Sequence, residues 1–134
     1  MSTFLRICGF LLLLASASAH AETVDEKEIC KAFTEYEDSL SKKLSLPADS
    51  ITDVISMRIN CVTKTQSWQQ VIKAYDKELA QGWRERKQRQ HTQLHCNNDG
   101  LSSTLGWTVV TQLSDKDYNL MAEFKTTPEM CTSR

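Results

Sequence analysis

The apolar residues of this chain follow a helical period first and a strand period later, and these changes predict its elements. Over residues 22–46 the period is helical. The apolar stripe consists of Ile29, Phe33, Tyr36, Leu40 and Leu44. Acidic residues lie early in this segment and Lys42 and Lys43 lie late, which agrees with the helix dipole. Pro47 should end the helix, because the residue before a proline disfavours the α conformation.

The period changes to two in residues 51–62, where apolar and polar side chains alternate and β-branched residues dominate. This pattern predicts a strand, although an apolar stripe through Ile51, Val54 and Ile59 would also fit a helix. Residues 63–67 are typical of a turn. Residues 68–75 would return as a second strand, but they fit a helix equally well.

A second helix is predicted over residues 76–94. Its thin contact stripe consists of Leu79, Trp83, Gln90 and Leu94. Gly82 should weaken the helix by up to ~1 kcal/mol relative to alanine. The turn residues 97–100 should end it, with Gly100 as a left-handed cap.

Two further alternating runs, residues 107–113 and 118–124, flank the turn-prone residues 114–117 and predict a β-hairpin. The predicted order is therefore α-β-β-α-β-β. We expect an α+β fold with two helices packed on a four-stranded antiparallel sheet.

The N-terminus has the pattern of a signal peptide. Arg6 precedes an apolar run over residues 7–15, and Ala19-His20-Ala21 suits a signal peptidase, so cleavage is expected after Ala21. The apolar run is shorter than the roughly 20 residues that cross a bilayer. Residues 22–134 would then form one domain in the periplasm or outside the cell, with no membrane-spanning segment.

Cysteine usage favours disulfides over metal binding or catalysis. Five cysteines occur, and removal of residues 1–21 with Cys8 leaves four in a small exported chain. Three pairings are possible. Folding the predicted elements brings together Cys30 with Cys61 and Cys96 with Cys131, whereas a Cys61–Cys96 bridge would contradict that arrangement.

The sequence contains few candidates for chemistry. The net charge of −1 argues against a nucleic-acid-binding domain. His91, His95 and Cys96 could hold a metal, but Cys96 is expected in a disulfide, and solvated histidines at a helix end explain the pattern more simply. We expect no metal, no cofactor and no enzyme, since no nucleophile motif or phosphate loop is present.

Aromatic and basic side chains are the candidates for binding. They could line a groove for a peptide or bind an acidic partner, or they could simply form the core and a solvated helix face. The candidate residues are Trp68, Tyr75, Trp83, Trp107, Arg84 and Arg86.

Several short motifs resemble a group of small exported bacterial proteins. These motifs are Leu46-Pro47, Gln93-Leu94-His95-Cys96, Leu105-Gly106-Trp107 and Cys131. The chain thereby resembles the α/β type of type II secretion pilotin and the family of proposed quorum-sensing-regulated virulence factors. The resemblance implies a compact periplasmic α/β domain, a Cys96–Cys131 disulfide and, if pilotin-like, a groove for a helical segment of a secretin subunit. Those pilotins are lipoproteins, whereas no lipobox cysteine stands at Ala21 or Glu22.

The function that we expect is non-enzymatic binding of another envelope or secreted protein. The groove between a helix and the sheet, or an open sheet edge, would receive the partner. An alternative is a periplasmic enzyme inhibitor or immunity protein that acts through the loop at residues 97–104. A hydrolase that uses His91 or His95 is a third hypothesis. The sequence leaves the partner's identity and the oligomeric state open.

Overall fold

The computed structural model describes residues 25–132. The predicted signal peptide and its cleavage site lie outside these residues. The elements are α1 (Glu26–Ser41), β1 (Leu46–Pro47), β2 (Thr52–Asn60), β3 (Thr65–Ile72), a 3-10 turn (Asp76–Glu78), α2 (Trp83–Cys96), α3 (Leu101–Leu105), β4 (Thr108–Ser114), β5 (Leu120–Thr126) and α4 (Pro128–Thr132). No helix among the described residues is long and apolar enough to cross a membrane.

The five strands form one mixed sheet in the order β1-β2-β3-β4-β5. The α+β class is confirmed, but the expected antiparallel four-stranded sheet with two helices is wrong. Strand β3 pairs with β4 in parallel, and the other neighbours are antiparallel. The reason is the connection: α2 crosses over between β3 and β4, and such a crossover brings the chain back in the same direction.

Both ambiguous segments are strands. Strand β2 carries a register shift between Val54 and Ser56, and its hairpin with β3 pairs Met57 with Trp68. Strand β3 begins at Thr65, three residues before the predicted start, and ends at Ile72. The predicted turn is therefore shorter, because its last residues already pair with Asn60 and Ile59.

Helix α1 is shorter than the sequence pattern predicts. Asp25 caps its N-terminus by accepting a hydrogen bond from the backbone N–H of Lys27 at 2.9 Å. The helix ends at Ser41, and Leu46 and Pro47 instead form the edge strand β1. Proline is tolerated there because an edge strand leaves one side of the backbone unpaired.

Helix α2 begins at Trp83 and not at residue 76. Gly82 has φ +75° and precedes the helix, so its freedom of conformation permits the change of direction after the separate 3-10 turn. The predicted end at residues 97–100 is confirmed, but Gly100 is not a left-handed cap: its φ is −71°. A Cβ atom at Gly100 would lie 2.2 Å from the carbonyl oxygen of His95, so close approach is what requires glycine there.

Two disulfides close the two halves of the chain, with the same pairing that the sequence predicts. Cys30 joins Cys61, which ties α1 to the end of β2. Cys96 joins Cys131, which ties the end of α2 to α4. The apolar core lies at the opposite end of the sheet from the second bridge. Its buried members are Ile72, Trp83, Leu113 and Phe124.

Candidate functional site

A groove of about 610 Å³ lies between helix α2 and the sheet. Strands β3 and β4, with Phe124 of β5, form its floor, α2 and the start of α3 form one wall, and the β1–β2 turn lies on the other side. The floor consists of Gln66, Trp68, Gln70, Ile72, Thr111, Leu113 and Phe124. Alternation along β3 explains this lining, because every second side chain of a strand points to the same face.

The floor changes character from one end to the other. Near the start of α2 it is apolar, with Ile72 and Leu113 from neighbouring strands. Near the end of α2 it is polar, where the buried Gln66 accepts a 2.8 Å hydrogen bond from Trp68 Nε1 through its side-chain oxygen. The groove therefore combines an apolar half with a half that offers amide and hydroxyl groups.

Helix α2 holds the edge strand β5 with polar side chains. The amide of Gln88 donates to the carbonyl of Lys125 at 2.9 Å and accepts from its N–H at 3.2 Å, as a neighbouring strand would. Arg84 donates to the carbonyl of Met121 at 3.2 and 3.3 Å. The backbone groups of Met121 and Lys125 at this sheet edge are therefore already hydrogen-bonded to the protein's own side chains.

His91 is the central polar contact between α2 and the sheet. Its Nδ1 lies 2.7 Å from Oγ1 of Thr126 on β5, and its Nε2 lies 3.0 Å from Oγ1 of Thr111 on β4. In a neutral imidazole one of these nitrogens donates and the other accepts. Thr126 is fully buried and Thr111 is also buried, so His91 satisfies two hydroxyls that water does not reach.

The environment keeps both histidines of the groove neutral. Burial is the main cause that lowers the pKa of His91 to about 4, and the charge that His95 would carry contributes to this lowering. Burial also lowers the pKa of His95, whose ring lies 4.6 Å from that of His91. The expectation of solvated histidines that gain from protonation at a helix end is wrong, because both rings are partly buried and burial disfavours their charged form.

The rim of the groove carries one exposed apolar side chain and three charges. Leu94 on α2 is 61% exposed. Asp49 accepts a 2.9 Å hydrogen bond from the N–H of Ile51, which lowers its pKa, and the charge of Lys87 lowers it further. Asp99, at the end of α2, makes no ion pair within residues 25–132.

The structure separates the aromatic residues that the sequence grouped as candidates. Trp68 lines the groove. Tyr75 and Trp83 line a second, open cavity of about 670 Å³ near the β4–β5 turn. Trp107 is buried, and its ring contacts Phe33 edge to face at 4.8 Å between centroids. Of these four aromatic candidates, Trp68 alone lines the groove.

The basic candidates serve the local structure. Arg84 also pairs with Asp76 at 2.9 Å and lies over the Trp83 ring at 4.5 Å. Arg86 donates to the carbonyls of Gln81 and Ala80. Both guanidinium groups are exposed, but their hydrogen bonds stabilise the start of α2.

Metal and nucleophile chemistry finds no support in the described part of the chain. It contains no group of three histidine, cysteine or acidic residues that could hold a metal ion. Cys96 is in a disulfide, and both ring nitrogens of His91 are engaged by threonine hydroxyls.

Sequence reasoning missed the polar side of α2. It followed the stripe of Leu79, Trp83, Gln90 and Leu94, of which Leu79 and Trp83 pack in the core, although Leu79 precedes the helix, and Gln90 and Leu94 are exposed. Three polar residues that hydrogen-bond the sheet are spaced i, i+4 and i+7. They are Arg84, Gln88 and His91. This polar stripe was a usable signal, because its spacing marks one helix face as an apolar stripe would.

Comparison with solved structures gives three matches of the same fold. The pilotin EpsS of the Vibrio vulnificus type 2 secretion system matches with a TM-score of 0.59 at 12% identity, over 81% of this chain and 96% of its own. A proposed secreted protein from Pseudomonas aeruginosa matches with a TM-score of 0.60 at 12% identity, over 81% and 97%. The type II secretion pilotin AspS from Vibrio cholerae matches with a TM-score of 0.56 at 17% identity, over 79% and 94%.

The resemblance to pilotins and exported proteins is thereby confirmed for the fold. No family model matches the chain. No curated protein matches it either. Since the identities are 12–17%, the matches show a shared architecture, and the function has to be inferred from the groove.

Proposed function

We propose that this chain is a non-enzymatic, exported protein-binding domain whose groove receives a helical segment of a secretin subunit. The observation that carries the proposal is the groove itself, an open cleft of about 610 Å³ in a fold shared with two secretion pilotins. Two disulfides support an oxidising compartment, the periplasm or the exterior. Export by a signal peptide cut after Ala21 is part of the same proposal.

The groove suits a helix better than an added strand. An amphipathic helix can lay its apolar face on Ile72, Leu113 and the exposed Leu94. Strand addition would need free backbone groups at a sheet edge, but Gln88 already bonds Lys125 at the β5 edge. Beyond the two-residue β1, strand β2 is itself the outer strand of the sheet. There Glu37 of α1 accepts a 2.8 Å hydrogen bond from the N–H of Ile59.

The alternative of an enzyme inhibitor or immunity factor has less support. It would need residues 97–104 as a projecting loop. In the structure this segment folds back on itself, because Ser103 donates to the carbonyl of Asn97 and Ser102 is buried against the carbonyl of Thr126. The hydrolase hypothesis is weaker still, since His91 is committed to two threonines.

Binding to overlapping peptides from the secretin encoded in the same genome tests the proposal. Fluorescence anisotropy should detect one helical segment that binds the mature chain, residues 22–134. Leu94→Gln should weaken this binding by about tenfold, equivalent to about 1.4 kcal/mol, because it removes an apolar contact at the rim. The matched control is Val62→Gln, since Val62 is 95% exposed and does not line the groove. Equal affinity of both variants, or no bound segment, would refute the proposal.

A further inference from the structure

The two ends of the groove differ in charge as well as in polarity. At the end near the start of α2 the rim carries both Lys87 and Asp49, which form no ion pair within the described residues but whose opposite charges offset each other. At the other end lies Asp99, which makes no ion pair within residues 25–132. The backbone N–H of Asp99 donates a 2.8 Å hydrogen bond to the side-chain oxygen of Asn97, which holds this residue in place.

Neighbouring groups reinforce the negative potential at the Asp99 end. The carbonyl end of the 14-residue helix α2 points there, and a helix C-terminus carries partial negative charge. His95 is the other titratable group on this side, and burial lowers its pKa, so it adds no positive charge at neutral pH. A cation is therefore favoured at this end, whereas the Asp49–Lys87 end has no such preference.

The length of the floor limits the occupant. Gln66 and Ile72 lie six residues apart on β3, which at about 3.3 Å per residue corresponds to roughly 20 Å. A helix rises about 1.5 Å per residue, so about 13 residues cover this distance. The occupant is thus three to four helical turns long, by the usual ~3.6 residues per turn.

We infer that the groove takes its partner helix in one direction only, with a lysine or arginine against Asp99 and the apolar residues over Ile72 and Leu113. This inference rests on the proposed function and adds the partner's charge and orientation to it. The apolar contacts supply affinity, and the Asp99 carboxylate sets the direction, because charge pairs at an interface select orientation more than they add affinity.

A displayed library of helical peptides tests the inference. Peptides of about 14 residues carry apolar residues at i, i+3, i+4 and i+7 and random residues elsewhere, and they are selected on the mature chain. We expect the binders to be enriched in lysine or arginine at one end. A photo-crosslinker at that end should label residues 97–101, and a crosslinker at the other end should label the β1–β2 turn.

Variants of two aspartates give the decisive comparison. Asp99→Lys should weaken the selected peptides by about tenfold at low salt, and glutamate in place of the peptide's basic residue should restore binding. The matched control is Asp38→Lys, because Asp38 is exposed on α1, does not line the groove and makes no ion pair within the described chain. It should change affinity by less than about twofold.

The outcomes separate the two proposals. The inference is overturned, and the proposed function stays intact, if the peptides that compete for the groove are not enriched in basic residues at one end. The same holds if their affinity is unchanged by Asp99→Lys. A library without any peptide that Leu94→Gln weakens overturns both. Crosslinks of the basic end to the β1–β2 turn would also overturn the inference.

Discussion

Helix α1 meets the rest of the molecule with apolar side chains, whereas helix α2 meets the sheet mainly through hydrogen bonds. On α1, Phe33 packs against Trp107 and Leu40 is buried. On α2, only Trp83 is buried, and His91 and Gln88 bond to the sheet with their ring and amide groups.

The difference follows from what each helix covers. Apolar packing needs only matched shapes, so α1 follows the usual stripe. Helix α2 covers the edge strand β5 and two buried threonines, whose polar groups would be costly to leave unpaired. The comparison teaches that a very hydrophilic helix can still be an integral part of a fold, and that His91 of its polar face also lines the groove.

The largest expected effect comes from the disulfides, one for each helix. The bridges close loops of 31 and 35 residues, so the loop-entropy model predicts a loss of about 3–4 kcal/mol for either pair. Cys30→Ser/Cys61→Ser and Cys96→Ser/Cys131→Ser should therefore reduce the free energy of unfolding similarly in urea denaturation. A loss below ~1 kcal/mol for either double variant would show that its helix is held without the bridge.

His91→Ala should cost about 2–3 kcal/mol, because it removes the hydrogen bonds of the ring to the buried hydroxyls of Thr111 and Thr126. Urea denaturation of purified variants measures the change. The control on the same helix is Leu94→Ala, which should stay within about 0.5 kcal/mol because this side chain is exposed. Similar losses for both variants would contradict the hydrogen-bonded attachment of α2.

Phe33→Ala is the counterpart on α1 and should cost about 2 kcal/mol through lost packing on Trp107. Tyr36→Ala, at an exposed position one turn later, serves as its control and should cost much less. We expect the Trp107 fluorescence to change in the Phe33 variant only. An unchanged midpoint of unfolding would mean that apolar contacts do not hold α1.

Acid should weaken the attachment of α2 before it affects α1. The folded protein keeps His91 neutral down to a pKa of about 4, whereas the unfolded chain takes up the proton near pH 6.5. Stability is therefore complete above pH 6.5 and falls as the pH decreases towards 4. The loss should reach about 1–2 kcal/mol, after allowance for partial solvent screening.

Urea midpoints measured between pH 7 and pH 4.5 check this pH dependence. This window lies above the range in which the lowered pKa values of Asp49 and Asp76 would matter. The decrease of stability with falling pH should be smaller in His91→Ala than in the wild type. The decrease that remains is due to His95, whose pKa is also lowered. The same slope in His91→Ala and the wild type would refute the assignment to His91.

The smallest effects concern the two edges of the sheet. Gln88→Ala and Glu37→Ala should each cost about 1 kcal/mol, because each removes a side chain that bonds an edge backbone group. Salt should reduce the Glu37 effect, since Arg58 lies 3.7 Å from its carboxylate, and leave the Gln88 effect unchanged. Equal salt dependence in urea denaturation would contradict this distinction.

Local sequence patterns were sufficient to predict the strands and the pairing of the cysteines. Alternation located β2, β4 and β5, and β-branched residues decided correctly between strand and helix at residues 51–62. Helix α1 was recognised from its apolar stripe, although its end was placed too late. The cysteine pairs followed from the order of elements, because each pair closes one half of the chain.

The groove was harder to predict, since its residues come from separate elements. Trp68 was a candidate on its aromatic character, but Gln66, His91 and Asp99 were not assigned to a common surface. Their meeting depends on the parallel pairing of β3 and β4, which aligns Gln66 with Val109 and Trp68 with Thr111. That pairing is a non-local property, and a reading of local periodicity does not contain it.

By itself, the sequence determined the class of elements, their approximate order and the two bridges, because periodicity, turn residues and cysteine spacing act over short distances. Only the tertiary structure decided the parallel step in the sheet, the polar attachment of α2 and the position of Asp99 at one end of the groove. The physical reason is desolvation: a histidine or a glutamine is an ordinary surface residue until the fold removes its water, and then its partners determine what it does.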